Sequence, residues 1–409
     1  MSTIQPIKIG NRNVGPGYPT YIIFEVASTH ANNWNIAKDY VRQAKEVGAD
    51  ALKFQLYEAD KLLNPVAGIL RPTYNYFKTA QTPKEWFPKL LSLCKKADID
   101  LLCTPFDEVA ASFLNDLGLP AIKIASGDLT NHQLLSHVAK FGKPVILSTG
   151  MANISEVNQA VNILKKSGCR ELALLQCTSV YPMPYEDANM RAMQTLQNNF
   201  GAVVGYSDNG SEGVIVPLVA VAMGASIIEK HVTSQKQRGN MDDVFSLSVE
   251  EFTEMTKRIR LLEKEYKNNL NAALVDLKKE FGSAVETILG SKVKKPANFG
   301  IDRRDGTRMI EADERHWARR GIYPKKDISR GTRIAQDMII SIRPDVGISA
   351  TEYSVIIGAE ASEDLPAMQP ILFEGKMVRR FKKSDIRRVY AGPSDKQFVE
   401  ILKKTANFD

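Results

Sequence analysis

Three titratable residues stand in a row near the end of an apolar run. Residues 226–233 read S-I-I-E-K-H-V-T, so Glu229, Lys230 and His231 interrupt a segment that is otherwise typical of a buried strand. An imidazole in this position is either a hydrogen-bonded core histidine or a metal ligand. The choice depends on which other polar residues reach the same end of the fold.

Lysines, carboxylates and hydroxyls recur at the ends of the other apolar runs. These residues are Glu25, Lys53, Gln55, Thr104, Lys123, Ser126, Ser148 and Ser207. Ammonium groups supply positive charge, while hydroxyls and turn N–H groups supply donors, a combination that suits a small molecule carrying phosphate and carboxylate. The alternative is that these are scattered capping residues and lysines that extend to the rim of the fold.

The elements that must position these side chains alternate regularly. Eight β-rich apolar runs are separated by stretches of helical periodicity, and they span residues 21–27, 51–57, 100–106, 121–126, 144–150, 172–179, 202–208 and 226–233. Such runs indicate a parallel sheet covered by helices. Eight units within about 250 residues predict a closed (β/α)8 TIM barrel, with an open α/β sheet as the alternative. In a barrel, chemistry takes place at the C-terminal strand ends, where the polar residues fall.

The chain divides into four predicted parts. Residues 1–265 form the barrel, 266–316 a partly helical linker, 317–381 a small β-rich domain, and 382–409 a helical or partly ordered tail. The small domain is indicated by short β runs between turn signals such as K-D-I-S-R-G-T.

Composition narrows the class of protein. The 409 residues are 44% hydrophobic and 25% charged, with a formal net charge of +7 and no long block of like charge, so nucleic acid is not indicated. The four cysteines include no C-x-x-C pair, which suggests a reducing compartment. No run approaches the ~20 apolar residues that span a bilayer. We expect a cytoplasmic protein without a membrane segment.

The ordered motifs resemble the N-acetylneuraminate (sialic acid) synthase family, in which a barrel precedes an antifreeze-like (SAF) domain. The matching stretches in the barrel are F-E-V-A-S-T-H, G-A-D-A-L-K-F-Q, C-T-P-F-D, K-I-A-S-G-D, I-L-S-T-G-M, Q-C-T-S-V-Y-P, G-Y-S-D and S-I-I-E-K-H-V-T. In the small domain they are A-R-R-G-I-Y-P-K-K-D-I and I-R-P-D-V-G-I.

This resemblance implies a reaction between two small molecules. Phosphoenolpyruvate condenses with the open-chain aldehyde of an N-acylated hexosamine, giving a nine-carbon 2-keto acid and phosphate. N-acetylmannosamine is the default acceptor, with diacetamido-dideoxyhexoses as close competitors. A divalent metal, typically manganese with magnesium or cobalt as alternatives, polarises the aldehyde.

The resemblance also carries roles onto individual residues. Those assigned to the phosphate and carboxylate of phosphoenolpyruvate are Lys53, Thr104, Lys123, Ser126, Ser148 and Ser207. Gln55 and Tyr181 belong to the same substrate pocket. Glu25 and Asp242 meet the sugar hydroxyls and relay protons, and His231 acts in catalysis as a metal ligand.

The sequence departs from the family pattern beside the metal. The family motif S-D-H supplies a second histidine ligand, whereas this chain reads S-D-N-G-S-E-G and has Asn209 there. An amide oxygen is a weaker ligand than imidazole for manganese. The metal is therefore held more loosely, or is helped by Asp242, Asp243 or Glu212, or is less needed.

The resemblance gives the small domain a place as well. It implies a domain-swapped homodimer, in which this domain covers the partner's barrel and an arginine of the A-R-R motif reaches the acyl group of the acceptor. Arg320 is preferred to Arg319 for this role. The alternative is that both are surface arginines before a strand.

Two other functions stay open at this point. A Schiff-base aldolase or lyase would use Lys53 or Lys123 as its nucleophile. A non-catalytic sugar-binding relative is suggested by the histidine that is missing at position 209.

Overall fold

A computed structural model describes residues 4–66, 71–210, 213–235, 240–267, 269–290, 311–390 and 396–405. Its strands are β1 Ile7–Ile9, β2 Arg12–Val14, β3 Tyr21–Glu25, β4 Ala51–Leu56, β5 Asp100–Pro105, β6 Ile122–Ile124, β7 Val145–Ser148, β8 Leu172–Gln176, β9 Val203–Asp208, β10 Ile227–Thr233, β11 Leu247–Ser248, β12 Gly321–Pro324, β13 Ile339–Ile342, β14 Glu360–Ala361, β15 Ile371–Glu374 and β16 Met377–Arg380. Among these residues, no helix combines the length and apolar character that a membrane crossing requires.

The α-helices alternate with the barrel strands and continue after them. They are α1 Trp34–Glu46, α2 Ala59–Leu62, α3 Arg71–Ala80, α4 Phe87–Ala97, α5 Glu108–Leu117, α6 His132–Ala139, α7 Ile154–Lys166, α8 Ala192–Phe200, α9 Ile215–Ala222, α10 Val249–Glu265, α11 Ala273–Phe281, α12 Ser283–Leu289, α13 Ala312–Ala318, α14 Tyr353–Ile356, α15 Ile386–Val389 and α16 Lys396–Thr405. Side chains fix several starts: Asp107 caps α5, accepting from the Ala110 N–H at 2.7 Å.

Eight parallel strands form a nearly closed barrel. Their spatial order is β5-β4-β3-β10-β9-β8-β7-β6. The two strands at the ends of this order, β5 and β6, lie side by side. The predicted TIM barrel followed by a small β-rich domain is therefore confirmed.

Alternation along each strand decides which side chains face the barrel interior. On β3, Tyr21 and Ile23 belong to the interior cluster, whereas Ile22 and Phe24 pack among the helices. Because side chains alternate with a period of two, the next inward position is Glu25. The same rule turns Lys53 inward after Ala51. The barrel interior is thus apolar at its amino-terminal end and polar at its carboxyl end.

The N-terminal hairpin closes the apolar end of the barrel. Strands β1 and β2 pair antiparallel. Ile7, Ile9 and Val14 join the interior cluster of the barrel. This hairpin therefore plugs the end of the barrel opposite the polar residues.

The segment predicted as a linker is partly built into the barrel. Its helices α11 and α12 bury Leu277, Val285 and Ile288 in the same core as the barrel helices. The polar part of the predicted linker, residues 291–310, lies outside the described residues. Helix α13 then leads into the small domain.

The small domain has its own core and packs on the barrel of its own chain. Strands β12 and β13 pair antiparallel, as do β15 and β16. Buried residues such as Ile322, Ile348 and Ile371 form its core. The Asn64 side chain of the barrel donates to the Met368 carbonyl at 2.8 Å. One chain thus covers its own barrel mouth, and the exchange of this domain within a homodimer stays a prediction.

The tail returns to helix α13. Phe398 of α16 stacks on the His316 ring, with centroids 4.1 Å apart and planes inclined by 5°. It also meets the edge of Trp317 at 5.8 Å. The tail helix therefore braces the segment that joins the barrel to the small domain.

Candidate active site

A cavity of about 680 Å³ lies at the carboxyl ends of the barrel strands. Twelve residues predicted from the sequence line it: Glu25, Lys53, Gln55, Thr104, Lys123, Ser126, Ser148, Tyr181, Ser207, Asn209, His231 and Asp242. A cavity of this size falls in the range of small-molecule sites, and it has room for more than one small substrate.

Two lysines and two glutamates form the floor of the cavity. The Lys53 ammonium lies 2.5 Å from Glu25 and 3.6 Å from Glu229. The second oxygen of Glu229 lies 3.6 Å from the Lys123 ammonium. All four side chains are buried. Glu229 therefore links both lysines.

Burial and these ion pairs set the protonation of the floor. Burial raises the pKa of Glu25, and Glu229 adds to this against the pull of Lys53. Burial also acts to raise the pKa of Glu229, but Lys123 and Lys53 outweigh it and lower that pKa. Burial lowers the pKa of Lys123 despite Glu229. At neutral pH Glu229 is thus the more firmly ionised glutamate.

The three consecutive titratable residues of β10 divide between two environments. Glu229 and His231 face the cavity. Lys230, between them, points to the other side and pairs with the buried Asp208 at 2.8 Å. Strand alternation explains this split, so Lys230 belongs to the packing around the barrel and not to the site.

Hydroxyl groups surround the two lysines. Lys53 donates to the Thr104 hydroxyl at 3.2 Å, and Lys123 donates to the Ser148 hydroxyl at 2.7 Å. The Ser126 hydroxyl accepts from the Gly150 N–H at 3.0 Å, and the Ser207 hydroxyl lies 3.4 Å from Glu229. This end of the cavity therefore presents ammonium groups and hydroxyl donors together, as an anionic ligand requires.

His231 is a neutral imidazole with a free nitrogen. Burial, reinforced by Lys53, lowers its pKa to about 3. Its buried Nδ1 has no hydrogen-bond partner, and its ring meets the edge of Phe245 at 4.9 Å. A neutral, unpartnered imidazole nitrogen suits metal coordination.

The described part of the chain places few other candidate metal ligands near His231. The Asn209 amide nitrogen donates to the Thr178 carbonyl at 2.9 Å, which leaves the amide oxygen to coordinate. Asp243, an alternative ligand, accepts from Thr233 at 2.7 Å and does not line the cavity. Among the described residues, no group of three or more His, Cys, Asp and Glu side chains is placed to hold a metal ion. Glu212 lies outside them. Of the residues predicted as metal ligands, His231 and Asn209 both line the cavity, and their binding of a metal stays a prediction.

Asp242 lies on the cavity wall within a hydrogen-bonded network. It accepts from the Ser28 N–H at 2.9 Å and from the Ser28 hydroxyl. The Ser28 hydroxyl also lies 2.8 Å from the Tyr76 hydroxyl of α3. Burial raises the pKa of Asp242. Asp242 and Tyr76 together offer a carboxyl and a phenol to a polar substrate.

The structure does not bring Arg320 to the cavity. Its guanidinium pairs with Asp128 at 2.5 Å and donates to the carbonyls of Phe106 and Ser341 at 2.6 and 2.9 Å. The contacts to Asp128 and Phe106 hold the small domain on the barrel. From the same domain it is Arg343 that lines the cavity.

Four residues without a predicted site role also line the cavity: Glu229, Glu314, Trp317 and Arg343. For Glu229 a signal existed, because it shares its strand face with His231 two positions on. The other three come from α13 and the small domain, so their position depends on how that domain docks. No local pattern in the sequence reports that docking.

Comparison with known proteins gives matches to both domains. The sequence profile of the NeuB family matches residues 40–270, and that of the SAF domain matches residues 319–375. An uncharacterized protein of Methanocaldococcus jannaschii is 39% identical, over 88% of this chain and 96% of its own length.

A relative with a named activity and a solved structure are also similar over most of the chain. The N,N'-diacetyllegionaminic acid synthase of Legionella pneumophila is 34% identical, over 88% of this chain and 95% of its own length. The crystal structure of the Bacillus subtilis spore coat polysaccharide biosynthesis protein SpsE superposes with a TM-score of 0.71 at 29% identity, covering 89% of this chain and 97% of that one.

Proposed function

This chain belongs to the NeuB family, and from that premise we propose that it condenses phosphoenolpyruvate with the open-chain aldehyde of an N-acylated hexosamine. The product is a nine-carbon 2-keto acid, and inorganic phosphate leaves. One observation carries the proposal: Lys53 and Lys123 share one cavity, joined by Glu229 and ringed by hydroxyls.

The proposed reaction balances with one water. C3 of the enol phosphate forms a bond to the aldehyde carbon, and the aldehyde oxygen takes up a proton to become a hydroxyl. Water adds at C2, and the C2–O bond to phosphate breaks. Lys53, Lys123 and the hydroxyls beside them hold the phosphate and carboxylate in place for this step.

The carboxyl groups supply proton transfer in this proposal. Burial raises the pKa of both Glu25 and Asp242, so each is a better proton donor near neutral pH than an exposed carboxyl. Glu25 lies at the floor beside Lys53, and Asp242 lies at the wall; the proposal gives both contact with the sugar hydroxyls and a part in proton relay. His231 and Asn209 would hold a divalent ion, which when bound polarises the aldehyde oxygen.

The test is phosphate release from phosphoenolpyruvate across a panel of aldoses, with and without manganese. The panel includes N-acetylmannosamine and diacetamido-dideoxyhexoses, since a legionaminic acid synthase is among the relatives. We expect release only when an N-acyl aldose is present. No release with any member of the panel would contradict the proposal.

A histidine variant tests the metal assignment. His231→Ala should reduce turnover sharply, because the free Nδ1 is lost. The matched control is His137→Ala, whose ring bonds Ser112 at 2.8 Å on the outside of the barrel and should leave turnover unchanged. An unchanged rate of His231→Ala at saturating manganese would contradict the assignment.

A Schiff-base aldolase is the second candidate, because burial lowers the pKa of Lys123 and so favours a nucleophilic amine. Borohydride treatment with pyruvate separates the two. A covalent adduct on Lys123 supports the aldolase, whereas phosphate release without an adduct supports the synthase.

A further inference from the structure

Helix α13 and the residue before it hold the turn between β7 and α7 by its backbone. The Glu311 carboxylate, immediately before this helix, accepts from the Met151 N–H at 3.0 Å. One helical turn further on, the Arg315 guanidinium donates to the Met151 carbonyl at 2.7 Å. Both backbone polar groups of Met151 are thus bound by one short segment, which lies outside the barrel strands.

The same oxygen of Glu311 also binds the loop after β8. This oxygen, Oε1, accepts from the Ser179 N–H at 2.5 Å, so backbone donors that follow two neighbouring strands share one acceptor. Glu311 is 1% exposed and does not line the cavity, whereas Met151 and Ser179 both do. Glu311 therefore influences the cavity through the backbones that it holds.

The conformation of Met151 requires such support. Its φ is 60°, in the left-handed region that residues with a Cβ disfavour. A residue stays in this region when the surrounding contacts over-determine its conformation, and such residues cluster at functional sites. The hydrogen bonds from Glu311 and Arg315 are contacts of this kind.

The turn held in this way lies beside the hydroxyls assigned to phosphoenolpyruvate. Ser148 ends β7 directly before the turn, and its hydroxyl accepts from Lys123 at 2.7 Å. The Gly150 N–H donates to the Ser126 hydroxyl at 3.0 Å. A Cβ on Gly150 would collide with the hydroxyls of Ser126 and Ser179. Because the packing is this close, a small shift of the turn would redirect these hydroxyls.

We propose that Glu311 is a positioning residue for phosphoenolpyruvate, which fixes the backbones after β7 and β8 and thereby aims the hydroxyls that bind this substrate. This inference rests on the proposed function. It gives the segment that leads into the small domain a part in organising the anion-binding end of the cavity.

The role depends on the acceptor oxygen of Glu311 more than on its charge. One oxygen accepts both hydrogen bonds. Burial raises the pKa of Glu311 against the effect of the two N–H donors. A neutral side chain with an oxygen in the same place should therefore serve as well.

The test is calorimetric binding of phosphoenolpyruvate to the full chain without an aldose, together with steady-state kinetics. Glu311→Ala should weaken the affinity for phosphoenolpyruvate about 10-fold, a loss the size of one hydrogen bond, and raise its KM similarly. The KM for the aldose should stay unchanged. Glu311→Gln should restore both values, since its amide oxygen can accept from the same two N–H groups.

The matched control is Glu263→Ala. The Glu263 carboxylate accepts from the Thr20 N–H at 2.5 Å, directly before β3 and at the end of the barrel opposite the cavity. This variant removes the same kind of hydrogen bond, so it should lower stability but leave the affinity for phosphoenolpyruvate unchanged. If Glu311 were merely structural, the two alanine variants would bind this substrate equally well.

The outcomes separate this inference from the proposed function. Wild-type affinity for phosphoenolpyruvate in Glu311→Ala overturns the inference, as does a raised KM for the aldose alone or an equal loss in Glu311→Gln. If Glu311→Ala unfolds, Glu311→Asp decides: its shorter side chain withdraws the oxygen, and wild-type affinity then overturns the inference. If the unmodified protein binds phosphoenolpyruvate but releases no phosphate with any aldose, the proposed function fails, while the affinities of the Glu311 variants still decide this inference.

Discussion

Replacing Glu229 by glutamine should lower the free energy of unfolding, because the two lysines on the cavity floor then lose the carboxylate that they share. In the wild type this carboxylate lies 3.6 Å from each ammonium and is buried. Its loss leaves Lys53 with Glu25 alone and Lys123 with no carboxylate. Removing one member of a buried charge cluster typically costs about 3–5 kcal/mol. Urea unfolding at pH 7 should show a loss of that size in the free energy of unfolding.

The loss should shrink as pH rises. Burial already lowers the pKa of Lys123, and without Glu229 that pKa falls further. The folded variant then releases a proton at a lower pH than the unfolded chain does. Stability rises with pH wherever the unfolded state binds more protons, by about 1.4 kcal/mol per pH unit for one group. The variant should therefore regain stability relative to wild type between pH 7 and pH 9.

A matched control and one ligand complete this experiment. Glu280→Gln removes an ion pair with Arg258 at 2.5 Å on the protein surface, where the expected cost is only about 0–1 kcal/mol. Phosphoenolpyruvate should stabilise Glu229→Gln more than wild type, since its anionic groups replace the missing carboxylate. A cost for Glu229→Gln no greater than that for Glu280→Gln would refute the account of the floor.

Two further predictions concern the tail helix and the fall in the free energy of unfolding at acid pH. Phe398→Ala should lower the free energy of unfolding by about 3–5 kcal/mol and weaken substrate binding, because Phe398 packs on Trp317, which lines the cavity. The control is Val355→Ala, which changes an exposed residue of the small domain. An unchanged stability and KM in Phe398→Ala would contradict the bracing role. His231, with a folded pKa of about 3, stays neutral while the unfolded chain takes up a proton below its ordinary pKa of about 6.5, so stability falls as pH drops through that interval. Denaturant titrations at pH 5, 6 and 7 should show His231→Gln losing about 2 kcal/mol less than wild type in total between pH 7 and pH 5, and parallel curves would refute this.

The barrel and the floor of its cavity could be predicted because they follow from strand periodicity. Continuous apolar runs fix the parallel strands, and strict alternation along each strand then selects the inward side chains. Ala51 and Lys53 share a face for this reason, and so do Ile227 and Glu229. The convergence of Lys53 and Lys123 therefore depends only on closing eight strands into one barrel.

The residues that the small domain adds to the cavity could not be predicted in the same way. Arg320 and Arg343 lie in neighbouring motifs of one small domain, and nothing in their local sequence says which lines the cavity. The answer depends on the docking of that domain, including the close approach of the Ala318 carbonyl, 2.6 Å from where a Cβ on Gly127 would lie. Glycine is needed there, because any side chain would collide with the incoming backbone.

The amino-terminal hairpin affects the route by which substrates enter the cavity and products leave it. Ile7, Ile9 and Val14 fill the far end of the barrel, so the chamber opens at the mouth beneath the small domain. From the proposed function, in which the lysines on the cavity floor bind phosphoenolpyruvate, we expect this substrate to enter before the sugar. We likewise expect the sugar acid to leave before phosphate, and product-inhibition kinetics would check both orders. Entry through the mouth thus predicts an ordered sequential mechanism for the two substrates.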